Sequence, residues 1–245
     1  MILSSFSVSL QENRIKTTST MANIFQSSVG KKLIMSVSGI CLILFLTFHM
    51  VMNLTYVFDP DSVVYGTICE ILSMGWVNVV VPVLAAFFLV HIAYAFILTI
   101  GNRRARGEQR YEVSNKAQTD SWAARNMFVL GLIVVLGIAL HLWDFWAKMQ
   151  LQNWLGAEEG DPYLLMEATF GRWWVCLMYL IWFAALWFHL SHGFWSALQT
   201  IGWNNQVWFK RWKWITIIYV TVLMLGFAGV AIYAFCKANG CCCCC

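Results

Sequence analysis

Apolar residues run along this chain in five long stretches, approximately 33 to 53, 77 to 100, 126 to 147, 173 to 198 and 214 to 236. Each is long enough to cross a hydrocarbon core as a helix, which takes about 20 residues. Lipid admits only helices or closed barrels, because every backbone polar group there needs a partner within the protein. These runs are far too long for barrel strands. The pattern therefore predicts an all-α integral membrane protein with five transmembrane helices, the first four forming a four-helix bundle. The domain occupies residues 21 to 238. Residues 1 to 20 lack the apolar core of a cleaved signal peptide and read as a flexible leader or a mis-assigned start ahead of Met21. Residues 239 to 245 form a Cys-rich tail.

Composition agrees with the pattern. The chain is 60% hydrophobic and 11% charged, against roughly 25% charged in a soluble domain. Charge then supplies an orientation. Arg14, Lys16, Lys31 and Lys32 precede the first span; Arg103, Arg104, Arg106, Arg110, Lys116 and Arg125 separate the second from the third; Lys210, Arg211 and Lys213 precede the fifth. By the positive-inside rule this face is cytoplasmic, with the N-terminus inside and the C-terminus outside. Asp59, Asp61, Glu70, Asp144, Glu158, Glu159, Asp161 and Glu167 fall on the opposite face. The net charge of +4 is thus a signal of sidedness and gives no reason to expect nucleic acid as a partner. The 14 tryptophans crowd the span ends, as interfacial anchors do.

The spans carry one further pattern: a histidine in each of the first four. His49 lies 17 residues beyond Lys32 and His141 lies 16 beyond Arg125, which places both about 25 Å from the cytoplasmic ends of their helices. His91 comes 12 residues before Arg103, and His189 comes 17 after Arg172 at the outer end. These two fall in the inner half. The four sort into an outer pair, His49 and His141, and an inner pair, His91 and His189, each pair joining opposite helices of the bundle. Two imidazoles saturate the axial positions of a haem iron and suit it to single-electron transfer. Bundle cores often hold cofactors between facing helices. The expected cofactors are two haems. A lone buried histidine would read instead as a hydrogen-bonding bridge between helices, but four paired by depth argue for ligation. Gly39 and Gly131 each lie ten residues before an outer histidine, about 15 Å inward and near the inner pair. Missing side chains there leave room for a porphyrin, or else for close helix packing. The scattered Cys41, Cys69, Cys176 and Cys236 read as small apolar residues. The run Cys241 to Cys245 has no recognisable ligand spacing.

Four segments resemble a known family: SVGKKLIMSVSGICLILFLTFHMVMN through His49, FFLVHIAYAF around His91, GLIVVLGIALHLWDFW around His141 and FHLSHGFWSALQTIGW around His189. Together they resemble the membrane-anchor cytochrome b subunit of succinate dehydrogenase and fumarate reductase in its single-chain, five-helix, di-haem form. The resemblance implies axial ligation by His49, His91, His141 and His189. It selects His189 over His192 because Gly193 and Gly202 follow at the family's spacing of four and thirteen. It implies that Ser36 meets a haem propionate and that Glu70 exchanges protons with a quinone, with menaquinone expected. It also implies an iron–sulfur subunit on the cytoplasmic face, carrying a flavoprotein where succinate and fumarate interconvert, in a bacterial inner membrane. Electrons then pass between that subunit and the quinone by way of the inner and outer haems. One branch of the family has a glutamate where this chain has Trp187, which leaves a transmembrane proton path in doubt.

Several alternatives stay open. Asp144 is a second acid near the outer pair, although Lys148 at i+4 points to an ordinary helix ion pair. His192 reads as a propionate contact or an interface histidine. The fifth span, with its aromatic VWFKRWKW start, is expected to pack on the bundle and to offer a contact for a dimer of complexes. Two rival functions are the haem subunit of another respiratory complex, such as a nitrate reductase or hydrogenase, and a haem-free transporter with a histidine proton relay. The nitrate-reductase type takes its four histidines from two helices. A transporter would call for inverted repeats with broken helices, and only Pro82 interrupts a span.

Overall fold

A computed structural model describes residues 27–59, 63–106, 121–157, 160–203 and 205–241. Arg14, Lys16, Asp61, Arg110, Lys116, Glu158, Glu159, the leader and the final four cysteines lie outside the described residues. All regular structure among the described residues is helical. The five spans are α1 (Ser28–Phe58), α3 (Val77–Arg106), α5 (Met127–Asp144), α8 (Trp173–Thr200) and α9 (Trp208–Ala238), all long and apolar enough to cross a membrane. Shorter helices α2 (Val63–Ser73), α4 (Trp122–Arg125), α6 (Gln150–Trp154) and α7 (Pro162–Phe170) fill the connections. The chain is thus a multi-pass helical membrane protein.

Four of the five spans extend beyond their apolar stretches, α5 being the exception, and side-chain capping sets the start of two of them. Ser27 accepts from the Gly30 N–H at 2.9 Å and starts α1 five residues ahead of its apolar run. Asn205 Oδ1 accepts from the N–H groups of Val207 and Trp208 at 3.1 and 2.7 Å, so α9 begins within the aromatic and basic segment. Gly202, at φ +92°, makes the turn between α8 and α9. Pro82 sits inside a continuous α3. α7 begins at Pro162 behind an Asp161 cap that accepts from Tyr163 and Leu164. It buries Tyr163, Met166, Thr169 and Phe170 against the bundle.

The four histidine-bearing helices run in the order α3, α1, α8, α5, and α9 packs into the junction of α1 and α8. α8 and α9 form the most extensive helix pair, and α9 buries Thr216, Val220, Leu223, Met224, Phe227, Val230, Ala231 and Ala234. Polar clasps fix it there: Trp187 donates to Thr221 Oγ1 at 2.9 Å, and the hydroxyls of Thr47 and Tyr219 hydrogen-bond each other. Each such bond contributes about 0.6 kcal/mol between membrane helices. The fifth span is therefore an integral wall of the bundle. Between α3 and α5 the contact is sparser. Phe96 of α3 meets Phe128 of α5 at 5.4 Å toward one end, and past the other end of α5 Trp154 of α6 donates its Nε1–H to Asn78 Oδ1 of α3 at 2.5 Å.

Charge divides the two ends. Lys31, Lys32, Arg103, Arg104, Arg125, Lys210, Arg211 and Lys213 share one end. Every described carboxylate side chain, namely Asp59, Glu70, Asp144, Asp161 and Glu167, lies toward the other. The three basic residues on the acidic side each have a counterpart. Lys148 pairs with Asp144 at 3.9 Å, Lys237 with Glu167 at 3.6 Å, and Arg172 lies over the Trp174 ring.

Candidate functional site

The four span histidines meet in two pairs. His49 on α1 faces His141 on α5 with ring centroids 5.7 Å apart and planes crossed at 84°. His91 on α3 faces His189 on α8 at 6.4 Å and 67°. A metal ion held between two imidazole nitrogens, each about 2 Å away as in zinc sites, leaves ring centroids roughly 6 Å apart. Both pairs fit that spacing. Among the described residues no cluster of three or more His, Cys, Asp or Glu side chains could hold a metal. The donor sets present are imidazole pairs, the set that suits axial ligation of a haem.

The two pairs have different surroundings. His49 stacks on Phe45 at 5.5 Å and meets Phe227 of α9 at 5.9 Å. His141 lies against Trp182 at 6.1 Å, Phe145 at 5.2 Å and Tyr179 at 6.4 Å. These rings form an aromatic box. The inner pair instead backs onto glycine. A Cβ placed on Gly39 would stand 3.2 Å from His91 Cε1, and one on Gly131 would stand 3.6 Å from His189 Cε1. The ten-residue offset read from the sequence thus sets each glycine of α1 and α5 against an inner imidazole, so their open space receives the histidine ring itself.

Polar contacts separate the members of the inner pair. Ser38 Oγ lies 3.2 Å from His91 Nδ1. The Nδ1 of His189 is buried without a hydrogen-bond partner among the described residues. A buried polar atom left unpaired costs about 1–3 kcal/mol, which argues for a further group in this space. Ser38 is a residue that pattern reasoning missed. The signal for it was slight, a second serine between Ser36 and Gly39. Ser36 itself is buried in α1, at 7% exposure. His192 sits beside Trp195 of its own helix at 6.3 Å, whereas the ring facing His91 belongs to His189.

At the acidic end, Glu70 lines a cleft of about 200 Å³ between α2 and α7, together with Cys69, Ser73, Met149, Asp161 and Tyr163. Glu70 itself is exposed. Burial, and then Cys69 beside it, push the phenol of Tyr65 in α2 above its ordinary range, so it stays neutral. Asp144 is buried, accepts from the Tyr179 hydroxyl at 3.2 Å and pairs with Lys148. The i+4 ion pair read from the sequence is present, with a tyrosine bond that spacing could not show. Trp187 points to α9, where it donates to Thr221. Cys41, Cys69, Cys176 and Cys236 are free thiols.

No family model, curated protein or solved structure matches this chain.

Proposed function

We propose that this chain is the membrane-anchor di-haem cytochrome b subunit of a succinate:quinone oxidoreductase. The observation that supports it best is the meeting of four histidines, one from each of four spans, in two facing pairs at two depths. A haem between two imidazoles takes up and releases one electron and has no open site for oxygen. The protein's part is to orient the rings and exclude water. Aromatic side chains do so around His49 and His141, and glycines fit the helices closely around His91 and His189. An arrangement drawing one histidine from each of four helices also favours this anchor over the nitrate-reductase type.

In this reading the basic end is cytoplasmic, in a bacterial inner membrane, and receives an iron–sulfur subunit that carries the flavoprotein. The acidic end receives the quinone. A cleft of 200 Å³ admits one aromatic ring, since a cavity of about 150 Å³ holds benzene. A menaquinone would insert one ring of its head beside Glu70 and leave its tail in lipid. There the Glu70 carboxyl would give or take the quinone proton as a general acid or base.

The deciding experiment is a reduced-minus-oxidised optical spectrum of the purified chain, with haem counted by the pyridine haemochrome method. Two b-type haems per chain are expected. A chain prepared with haem available that binds none would sink this reading and leave the transporter alternative ahead.

Two substitutions test the parts. Glu70→Gln should retain both haems and slow succinate-driven reduction of a menaquinone analogue about 10²–10⁴-fold, the usual contribution of a positioned acid or base. An unchanged rate removes Glu70 from the quinone site. Gly39→Ala puts a methyl 3.2 Å from His91, whereas Gly131→Ala makes an ordinary 3.6 Å contact. The first should therefore weaken inner haem retention about tenfold, as disturbing a ligand's support does, and the second should leave it unchanged. Haem dissociation to apomyoglobin reads the difference.

A further inference from the structure

Among the described residues, His91 is the one histidine of the four whose ring has a hydrogen-bond partner. Ser38 Oγ stands 3.2 Å from its Nδ1. The serine hydroxyl also lies within hydrogen-bond reach of the carbonyls of Ile34 at 2.8 Å and Met35 at 3.1 Å along its own helix. A hydroxyl has one hydrogen and two lone pairs, so a serine that donates to these carbonyls turns a lone pair toward His91. That arrangement matches the tautomer with the proton on Nδ1 and the lone pair on Nε2, with the Met35 carbonyl as a second acceptor beside the ring. Ser38 is only 2% exposed, so water does not compete for this bond.

We propose that Ser38 is a positioning residue for the inner site: it fixes the tautomer of His91 and raises the basicity of its metal-binding nitrogen. The idea rests on the di-haem reading above. A ligand histidine whose other nitrogen donates to an oxygen is a stronger electron donor, and the relay to the Ile34 carbonyl polarises the serine further. A more basic ligand favours the oxidised metal and lowers its potential. His49, His141 and His189 receive no such support within the described residues, so the effect is confined to the inner site and to one of its two ligands.

The test uses the full chain purified with its haems. His141→Ala serves as background, so that the inner haem titrates alone. Ser38→Ala in that background should weaken the preference for the oxidised state about tenfold, an upward shift of about 59 mV for one electron. Ser38→Thr keeps the hydroxyl and should restore the parent value. The same Ser38→Ala change in a His91→Ala background should leave the outer haem's potential unmoved. Loss of the inner haem from Ser38→Ala alone, with retention in Ser38→Thr, also supports the hydrogen bond. An inner potential that is the same in Ser38→Ala and the parent overturns the proposal, and so does loss of the haem from both serine variants. A parent chain that binds no haem overturns the di-haem reading beneath it, which the haem count reveals before any titration begins.

Discussion

Replacing His189 with alanine should halve the haem content, from two groups per chain to one, and leave the spectrum of the outer site intact. The argument is one of pairing. His189 faces His91 across the bundle at 6.4 Å, while His49 faces His141 at 5.7 Å. Residues that act as a unit lose their function together, so their substitutions do not add. His91→Ala should therefore reproduce His189→Ala, and the double variant should still hold one haem. His91→Ala combined with His141→Ala touches both pairs and should hold none. The decisive contrast is between these two doubles, which remove the same number of imidazoles. If both doubles keep one haem, the pairing is wrong. His192→Ala is the control, because its ring lies by Trp195 and not opposite His91. A His189→Ala chain that keeps two haems would transfer the ligand role to His192.

The parts of this structure legible in the sequence are those governed by one-dimensional rules. Hydropathy located all five spans, because a lipid-crossing helix must be apolar along its length. The rise per residue sorted the histidines into the pairs that the fold brings together. It also set Gly39 and Gly131 at the depth of the inner pair, where each abuts an imidazole. What escaped depends on rotation about the helix axis and on contacts between distant segments. Ser36 and Ser38 differ by two positions and roughly 200° of rotation, and hydropathy does not say which one faces a histidine. α2, α6 and α7 escaped because they are short and lie outside the long apolar runs. The cleft around Glu70 escaped with them, since α2 and α7 are distant in sequence and meet in part through the aromatic cluster of Tyr56, Tyr65 and Tyr163. The last helix, α9, packs on the bundle as expected, but its exact place at the junction of α1 and α8 escaped for a different reason. It carries no histidine, and sequence marks chemistry more plainly than it marks packing.

Gly137 is the clearest product of that blind spot, and Gly137→Ala should be the most damaging of the conservative changes. A Cβ on Gly137 would lie 2.1 Å from Trp182 Cδ1 and Nε1 and 2.4 Å from Cε2. The obstacle is a rigid indole, held by its N–H to the Val134 carbonyl at 3.2 Å. Neither the ring nor the backbone of α5 can yield without breaking that bond or separating α5 from α8. Overpacking of this kind costs about 1–3 kcal/mol, occasionally more, and the lost hydrogen bond adds to it. The damage should also travel. Trp182 lies nearly parallel to His141 at 6.1 Å, so moving the indole moves the support of an outer imidazole. Thermal unfolding in detergent should show a markedly lower midpoint for Gly137→Ala, with the outer haem lost before the inner one. Gly229→Ala, where an added Cβ meets nothing within 4 Å, should leave both quantities near the parent values. Adding Trp182→Leu to Gly137→Ala removes the obstacle and should recover much of the midpoint, an interaction between neighbouring sites that independent effects would not produce. If the double variant is only as stable as the sum of its parts, the clash is not what makes Gly137 indispensable, and the close approach of α5 to α8 through this glycine would need another cause.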